Sequence, residues 1–501
     1  MAQPHTRDAV ATPGAAEQPS IVRPPAGAGP QSDVHKPVIS EQSATLPPSL
    51  ARRLADWLVS LRHTPLPPRT AERMRAALLD AVGAGIYGTT TPWARAVIDW
   101  ATELPLETGA TVWGANGRRA RPADAALANG TSIHSFELDD YHNAKLHPGA
   151  AVVPAALAVA EVVRPSGREL LKALAAGYEV MIRTSLALDP GAAKMRGWHL
   201  TGVCGPFGAA AAAAYLLGLD ADQTTWALGL AGTQGAGLFA FNADGAMSKR
   251  LHPGRAAHAG VLAAQLAARG FTGPAYIYEA DDGGFLRAHS DQARAERLLE
   301  NLGTVFHADA INFKPYSCCG SVHSSIDAAL RLRERLGGPP APGQRVRVGM
   351  SQVLAVQCGF DYYPSTVLFA QMSLRYCVAA ALVDGAALPP QFTPERIRDP
   401  QLVQLAAAME LIHDPELDRI YPTHFAGWVE VETSGGRLRV DVLDPTGSSA
   451  NPMTLEQLKH KFRYVVGAVL PPERVQRLEE ALLSVDQMAD VSGLARELGV
   501  G

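Results

Sequence analysis

The chain has 501 residues, 47% of them hydrophobic and 19% charged, and its 45 Lys and Arg against 49 Asp and Glu give a net charge of −4. That balance suits a soluble globular protein with a large core and excludes a nonspecific nucleic-acid binder, which needs clustered cations. Five cysteines, Cys204, Cys318, Cys319, Cys358 and Cys377, make no disulfide framework, and the odd count suits a reducing, cytoplasmic setting.

Residues 1–45 are rich in Pro, Ala, Gly and Gln, lack the apolar core of a secretory signal, and read as a disordered tail. From 46 to 306 the pattern is helical. In "PPSLARRLADWLVSLR" Leu50, Leu54, Trp57, Leu58 and Leu61 recur at helical spacing. In "PRTAERMRAALLDAVGAGIYG" Thr70 is the expected N-cap and Gly88 the stop. Ala- and Gly-dense helices are expected over 150–163, 207–218, 226–238 and 255–269; small residues on every face predict close packing and burial on most sides. The longest apolar run, "GAAAAAAYLLGL" at 208–219, is too short to span a bilayer.

The pattern changes near residue 306. "QRVRVGMSQ" alternates Val346, Val348 and Met350 with other residues and predicts a strand. "WVEVETSGGRLRVDVL" predicts a hairpin, 428–433 with 437–443, across Ser-Gly-Gly. The predicted fold class is mainly α with an α+β insertion: an all-helical domain from 46–306 and 456–501, and a smaller α+β domain at 307–455.

Leu-His-Pro-Gly occurs twice, at 146–149 and 251–254, each time running into an Ala-rich stretch. Proline in a first turn pre-sets helical backbone, so both copies predict helix starts, with His147 and His252 just outside. "GWHLTGVCGPFGAAAAAAY" puts His199 ahead of a third such helix. Helix starts offer free N–H groups to anions, and three imidazoles there predict one anion pocket; the plainer alternative is that each only caps or bonds a carbonyl.

Residues 134–147 add His134, Glu137, Asp139, Asp140, His142 and Lys145. Acid–base work needs only His and carboxylates within reach of a substrate proton, and no zinc-type signature accompanies them, so no metal is expected. "INFKPYSCCGSVHSSIDAAL" carries Lys314, His323 and Asp327; the last two, four apart, would otherwise be a surface ion pair. Tyr376 sits in an apolar helix, where a core tyrosine with a satisfied hydroxyl is the default. The glycine runs match no nucleotide fingerprint.

Taken together, "NGTSIHSFELDDYHNAKLHPGAAVVPAAL", "GWHLTGVCGPFGAA", "MSKRLHPGRAAHAGVLAAQLAARGFTGP", "FKPYSCCGSVHSSIDA" and "AQMSLRYCVAAALVDG" resemble the MmgE/PrpD family from about residue 48 to the C-terminus. The resemblance implies a large helical domain built from both chain ends and an α+β lid at 307–455, with a site between them that uses neither metal nor cofactor. It also implies a homodimer. Matched by position, it makes His147, His199, Lys249, His323 and Tyr376 catalytic; Glu137, Tyr141, His252 and Lys314 are taken as substrate-binding. His323 and Tyr376 would arrive from the lid. Glu137 and Tyr141 stand where the family's decarboxylases carry Asp and Thr, a longer acid and a bulkier hydroxyl that weigh against the decarboxylase substrate. The function expected from this is a cofactor-independent lyase, foremost a dehydratase of a 2-methylcitrate-like polycarboxylate. The alternatives are a cis-aconitate-type decarboxylase, an iminodisuccinate-type epimerase, and a polycarboxylate-binding protein without catalysis.

Overall fold

Apolar stripes decide where the helices form. In a computed structural model, which describes residues Pro47–Gly499, the expected tail over 1–45 lies outside the described residues. Ser49 caps the first helix, Leu50–Leu61, its hydroxyl accepting from the Arg52 N–H at 3.1 Å. Leu54, Leu58 and Leu61 are buried, and Leu50 and Trp57 pack at the margin. The second helix is Pro68–Gly88. Thr70, the expected cap, lies inside its first turn and is buried, because Pro68 starts the helix two residues earlier.

Four Ala- and Gly-rich helices, Pro122–Ile133, Pro148–Val163, Leu200–Leu216 and Ser248–Ala267, pack on one another. Every residue from Leu200 to Tyr215 is buried. Such helices close up because nothing larger than a methyl stands between many of their backbones. A Cβ on Gly254 would lie 2.3 Å from the Leu127 carbonyl oxygen, so the glycine of the second Leu-His-Pro-Gly serves close approach rather than a turn.

Three expected helix bounds shift. The 207–218 helix begins at Leu200 with Pro206 inside it, the 226–238 helix is Ala221–Gly232, and the 255–269 helix begins at Ser248 with Pro253 inside it. Of the two Leu-His-Pro-Gly copies, only the first has its proline, Pro148, at a helix start. At the second copy, residues 248–252 add a turn, so His252 lies within a helix and offers no helix-start N–H groups.

Strands β1 (Ala110–Thr111) and β2 (Arg119–Ala120) form a short antiparallel ribbon. The second sheet contains β3 (Val346–Met350), β4 (Glu410–His413), β5 (Gly427–Thr433) and β6 (Gly436–Val442), in the order β4-β3-β5-β6. β3 and β4 are parallel and the other pairs antiparallel. The expected hairpin is present, with Thr433 opposite Gly436, so the second glycine of Ser-Gly-Gly belongs to the strand. β4 carries no sequence signal, since four residues are too few to show alternation. Helix His323–Leu336 packs on β5, β6 and helix Leu374–Asp384. The C-terminal helices Leu455–Gly467 and Pro472–Leu483 return to helix Pro68–Gly88, where Lys461 meets Asp80 at 2.5 Å and Phe462 packs beside Gly83. Among the described residues no helix is long and apolar enough to cross a membrane.

Candidate active site

Helix Pro122–Ile133 runs into the 3₁₀ turn His134–Phe136, and Glu137 then takes a left-handed backbone conformation (φ 55°). That reversal turns the acid-rich segment back over the start of helix Pro148–Val163. Lys145 is left-handed as well (φ 61°). Left-handed backbone is costly for residues with side chains, and here both examples line one cavity. The same cavity is lined by Tyr141, His147, Lys194, His199, Lys249 and Cys319.

Its floor is a buried ion cluster. Glu137 accepts from Lys249 and, at 2.9 Å, from Lys314, which also lies 3.8 Å from Asp139. Burial alone would push the Glu137 carboxyl up; the two ammonium groups outweigh it and hold the group well below its ordinary range. Asp139 is likewise held down, burial being overcome by His134, His147 and Lys314. Next in sequence, Asp140 goes the other way, to about 8, through burial and the charge of Asp80, and accepts from the Tyr178 hydroxyl and the Gly149 N–H, each at 2.8 Å.

The histidines are fixed by their neighbours. His134 is pushed down to about 4 by burial, so its neutral ring donates Nδ1–H to Asp139 at 2.7 Å. His147 is the N-cap residue of Pro148–Val163, and its Nδ1 lies 2.9 Å from the Asp140 carbonyl oxygen. A carbonyl only accepts, so Nδ1 carries the proton, and Nε2 has no protein partner among the described residues. His199, N-cap of Leu200–Leu216, shares a 2.9 Å Nδ1–Nδ1 hydrogen bond with His252. Burial first, and then the neighbouring His252, hold His199 well below its usual value.

His134, Asp139 and His147 place donor atoms within 4.8 Å of one another, a set with the chemistry of a two-histidine, one-carboxylate metal site. In this geometry the His134–Asp139 contact is a hydrogen bond and the Nδ1 proton of His147 goes to a carbonyl.

Two family models match the chain: the MmgE/PrpD N-terminal domain over residues 52–298 and the MmgE/PrpD C-terminal domain over residues 316–487. The chain belongs to the MmgE/PrpD family. It is 32% identical to the cis-aconitate decarboxylase-like protein oryM of Aspergillus oryzae, over 89% of this chain and 96% of that protein. It is 30% identical to the cis-aconitate decarboxylase of Aspergillus terreus (88% and 94% covered) and 28% identical to that of Mus musculus (90% and 93%). These relatives carry decarboxylase names, and the expected preference for dehydration gains no support from them.

Of the residues that the MmgE/PrpD likeness singled out, the structure brings Glu137, Tyr141, His147, His199 and Lys249 to one cavity. Lys314 and His252 stand directly behind it, bonded to Glu137 and His199. Two do not arrive. His323 is fully buried behind Tyr141 with its ring edge-on to Tyr316, and its Nε2–H donates to the Cys318 carbonyl at 3.3 Å. Asp327 accepts instead from the Tyr316 hydroxyl, so the surface ion pair with His323 does not form. Tyr376 is a core residue among Tyr362 and Phe392, its hydroxyl donating to the Gln391 carbonyl at 2.5 Å.

Sequence reasoning named Lys145 only within the segment 134–147 and gave two further cavity residues, Lys194 and Cys319, no role. Lys194 belongs to no motif, and Cys319 carries no signal beyond being one of five cysteines without a disulfide framework. The Cys319 thiol is drawn down to about 6, chiefly by a hydrogen bond from Cys358, with burial and Glu137 opposing and the Ser321 N–H and Lys249 assisting. Gln357 Nε2 donates to its sulfur at 3.4 Å. Its alkylation by iodoacetamide, followed by peptide mass spectrometry, should therefore reach half its maximal rate at a pH below the value of about 8.5 for a free cysteine. A midpoint of 8 or above would overturn this.

Proposed function

We propose that this MmgE/PrpD protein is a lyase that decarboxylates cis-aconitate or a closely similar unsaturated polycarboxylate without an organic cofactor or a metal. The observation that carries the reading is the cavity itself, which sets two helix-start histidines, His147 and His199, over a buried Glu137–Lys249–Lys314 cluster. The decarboxylase names of relatives covering about nine-tenths of the chain support the choice of reaction. The reading includes a homodimer and a lid formed by residues 307–455, both taken from the family.

In such a reaction the bond to one carboxylate breaks and carbon dioxide leaves. Its electron pair forms a new double bond while the old π pair moves to the carbon beside a remaining carboxylate. Fixed donors must meet that charge, and a proton must reach the carbon. His147 is suited to deliver it: Nδ1 is held as a donor to the Asp140 carbonyl, so Nε2 takes a proton from solvent and passes it on. The backbone N–H groups at the start of Leu200–Leu216 face developing negative charge favourably, whereas at Pro148–Val163 the proline has none and Gly149 gives its own to Asp140.

Tyr141 favours a second reading. Its ring packs on Gly320, where a Cβ would lie 3.1 Å away, and it narrows the cavity beyond what a smaller hydroxyl residue would. A differently shaped hydroxy acid such as 2-methylcitrate, losing water, is that alternative. Proton NMR of the EDTA-treated protein with cis-aconitate and with 2-methylcitrate separates the two. Vinyl methylene signals from cis-aconitate with equimolar carbon dioxide are expected. Water loss from 2-methylcitrate, with cis-aconitate untouched, would overturn the decarboxylase reading.

A further inference from the structure

The cations at the floor of the cavity are already matched by carboxylates: Glu137 holds Lys249 and Lys314, and Asp139 lies beside Lys314. They have little charge left for a bound anion. Two other lysines line the same cavity and have no such partner. Among the described residues neither Lys145 nor Lys194 has a carboxylate within ion-pair distance.

Both ammonium groups are held by aromatic neighbours instead. Lys194, on the short helix Pro190–Met195, places its nitrogen 3.2 Å from the centre of the Phe239 ring. Lys145 bonds the Tyr421 hydroxyl at 2.5 Å and lies 5.1 Å from the centre of that ring. The turn that carries Lys145 keeps it left-handed, closed by the Lys145 N–H to the His142 carbonyl at 2.9 Å. Two like charges are thus set in one cavity, with no carboxylate within ion-pair distance of either among the described residues. Burial first, and then the charge of Lys145, bring Lys194 down to about 8, with the thiols Cys319 and Cys358 acting in the opposite sense. An arrangement of this kind is satisfied by a bound anion.

We infer that Lys145 and Lys194 form a carboxylate-binding subsite, which grips a carboxylate of the substrate remote from the reacting carbon. This rests on the polycarboxylate reading above and narrows it: the substrate carries one more carboxylate than the floor and the histidines account for, so tricarboxylates are bound ahead of dicarboxylates. Charge-assisted hydrogen bonds of this kind contribute about 1.5–3 kcal/mol each, which is roughly a tenfold to hundredfold change in affinity.

The probe is tricarballylate, a saturated tricarboxylate with no reaction open to it, measured by calorimetry on the full chain with glutarate for comparison. Lys194→Ala and Lys145→Ala should each weaken tricarballylate at least about tenfold and change glutarate much less, whereas Lys194→Arg should keep wild-type affinity. Only the protonated amine attracts the anion, so wild-type affinity should fall as pH rises through about 8, and Lys194→Arg should abolish that fall. Equal tricarballylate affinity in wild type and both alanine variants would overturn the subsite. Lysine-dependent binding without any turnover of cis-aconitate would support the subsite and overturn the decarboxylase reading.

Discussion

Replacing Glu137 by alanine should lower the unfolding free energy by about 3–5 kcal/mol, the usual cost of removing one partner from a buried ion pair. Glu137 is 1% exposed, and it is the carboxylate shared by two ammonium groups that are themselves buried, Lys249 at 3% and Lys314 at 0%. Without it, two like charges face each other in a water-poor interior, with Asp139, 3.8 Å from Lys314, as the nearest compensation. In the folded state burial opposes the charge of Lys314 and Glu137 is the chief group that favours it, so removing Glu137 leaves that ammonium with only Asp139 to offset its burial. A urea midpoint measured by circular dichroism reads the loss. Glu137→Gln, which keeps the shape and loses the charge, should be destabilised comparably. A loss under about 1 kcal/mol in both variants would mean that the cluster is solvated and that its ion pairs carry little.

His147→Ala should lose about 10²–10⁴-fold in kcat, the range for a positioned acid–base group, while the fold survives. The imidazole is 16% exposed and makes one side-chain hydrogen bond, to the Asp140 carbonyl, whose removal costs about 1 kcal/mol. The backbone N–H of His147 donates to the Thr201 hydroxyl at 3.1 Å and is unaffected, so the two helix starts stay joined. Chemistry and stability therefore separate in this variant, as they do not at Glu137. A kcat within about threefold of wild type would remove His147 from the proton-transfer role. Asp139 supports the site from behind, bonded to His134 and 3.3 Å from His147 Nδ1, and Asp139→Asn should shift the pH profile of kcat rather than abolish turnover.

Much of this architecture was legible along the chain. The stripe of Leu54, Leu58 and Leu61 specified a helix and the face it buries, and the alternation around Ser434–Gly435 specified a hairpin, because both signals are local and periodic. Proline was a weaker guide. It marked a helix start at Pro148 but sat inside helices at Pro206 and Pro253, since residues upstream extend a helix past it when packing favours the extra turn. β4 left no trace because a four-residue strand gains its stability from the neighbour it pairs with, not from its own pattern.

The family, the helical class, and the segment 134–147 with His147, Glu137 and Tyr141 in it can be read along the chain. These rest on residue type and spacing, which are one-dimensional facts. The folded arrangement sets which side chains share a cavity. It turned Tyr376 and His323 toward backbone carbonyls, and it spent the charge of Lys249 on Glu137. It also brought Lys145, Lys194 and Cys319, from three separate segments, to the same wall. Whether a lysine is free or paired depends on what stands across from it in space, and chain order holds no record of that.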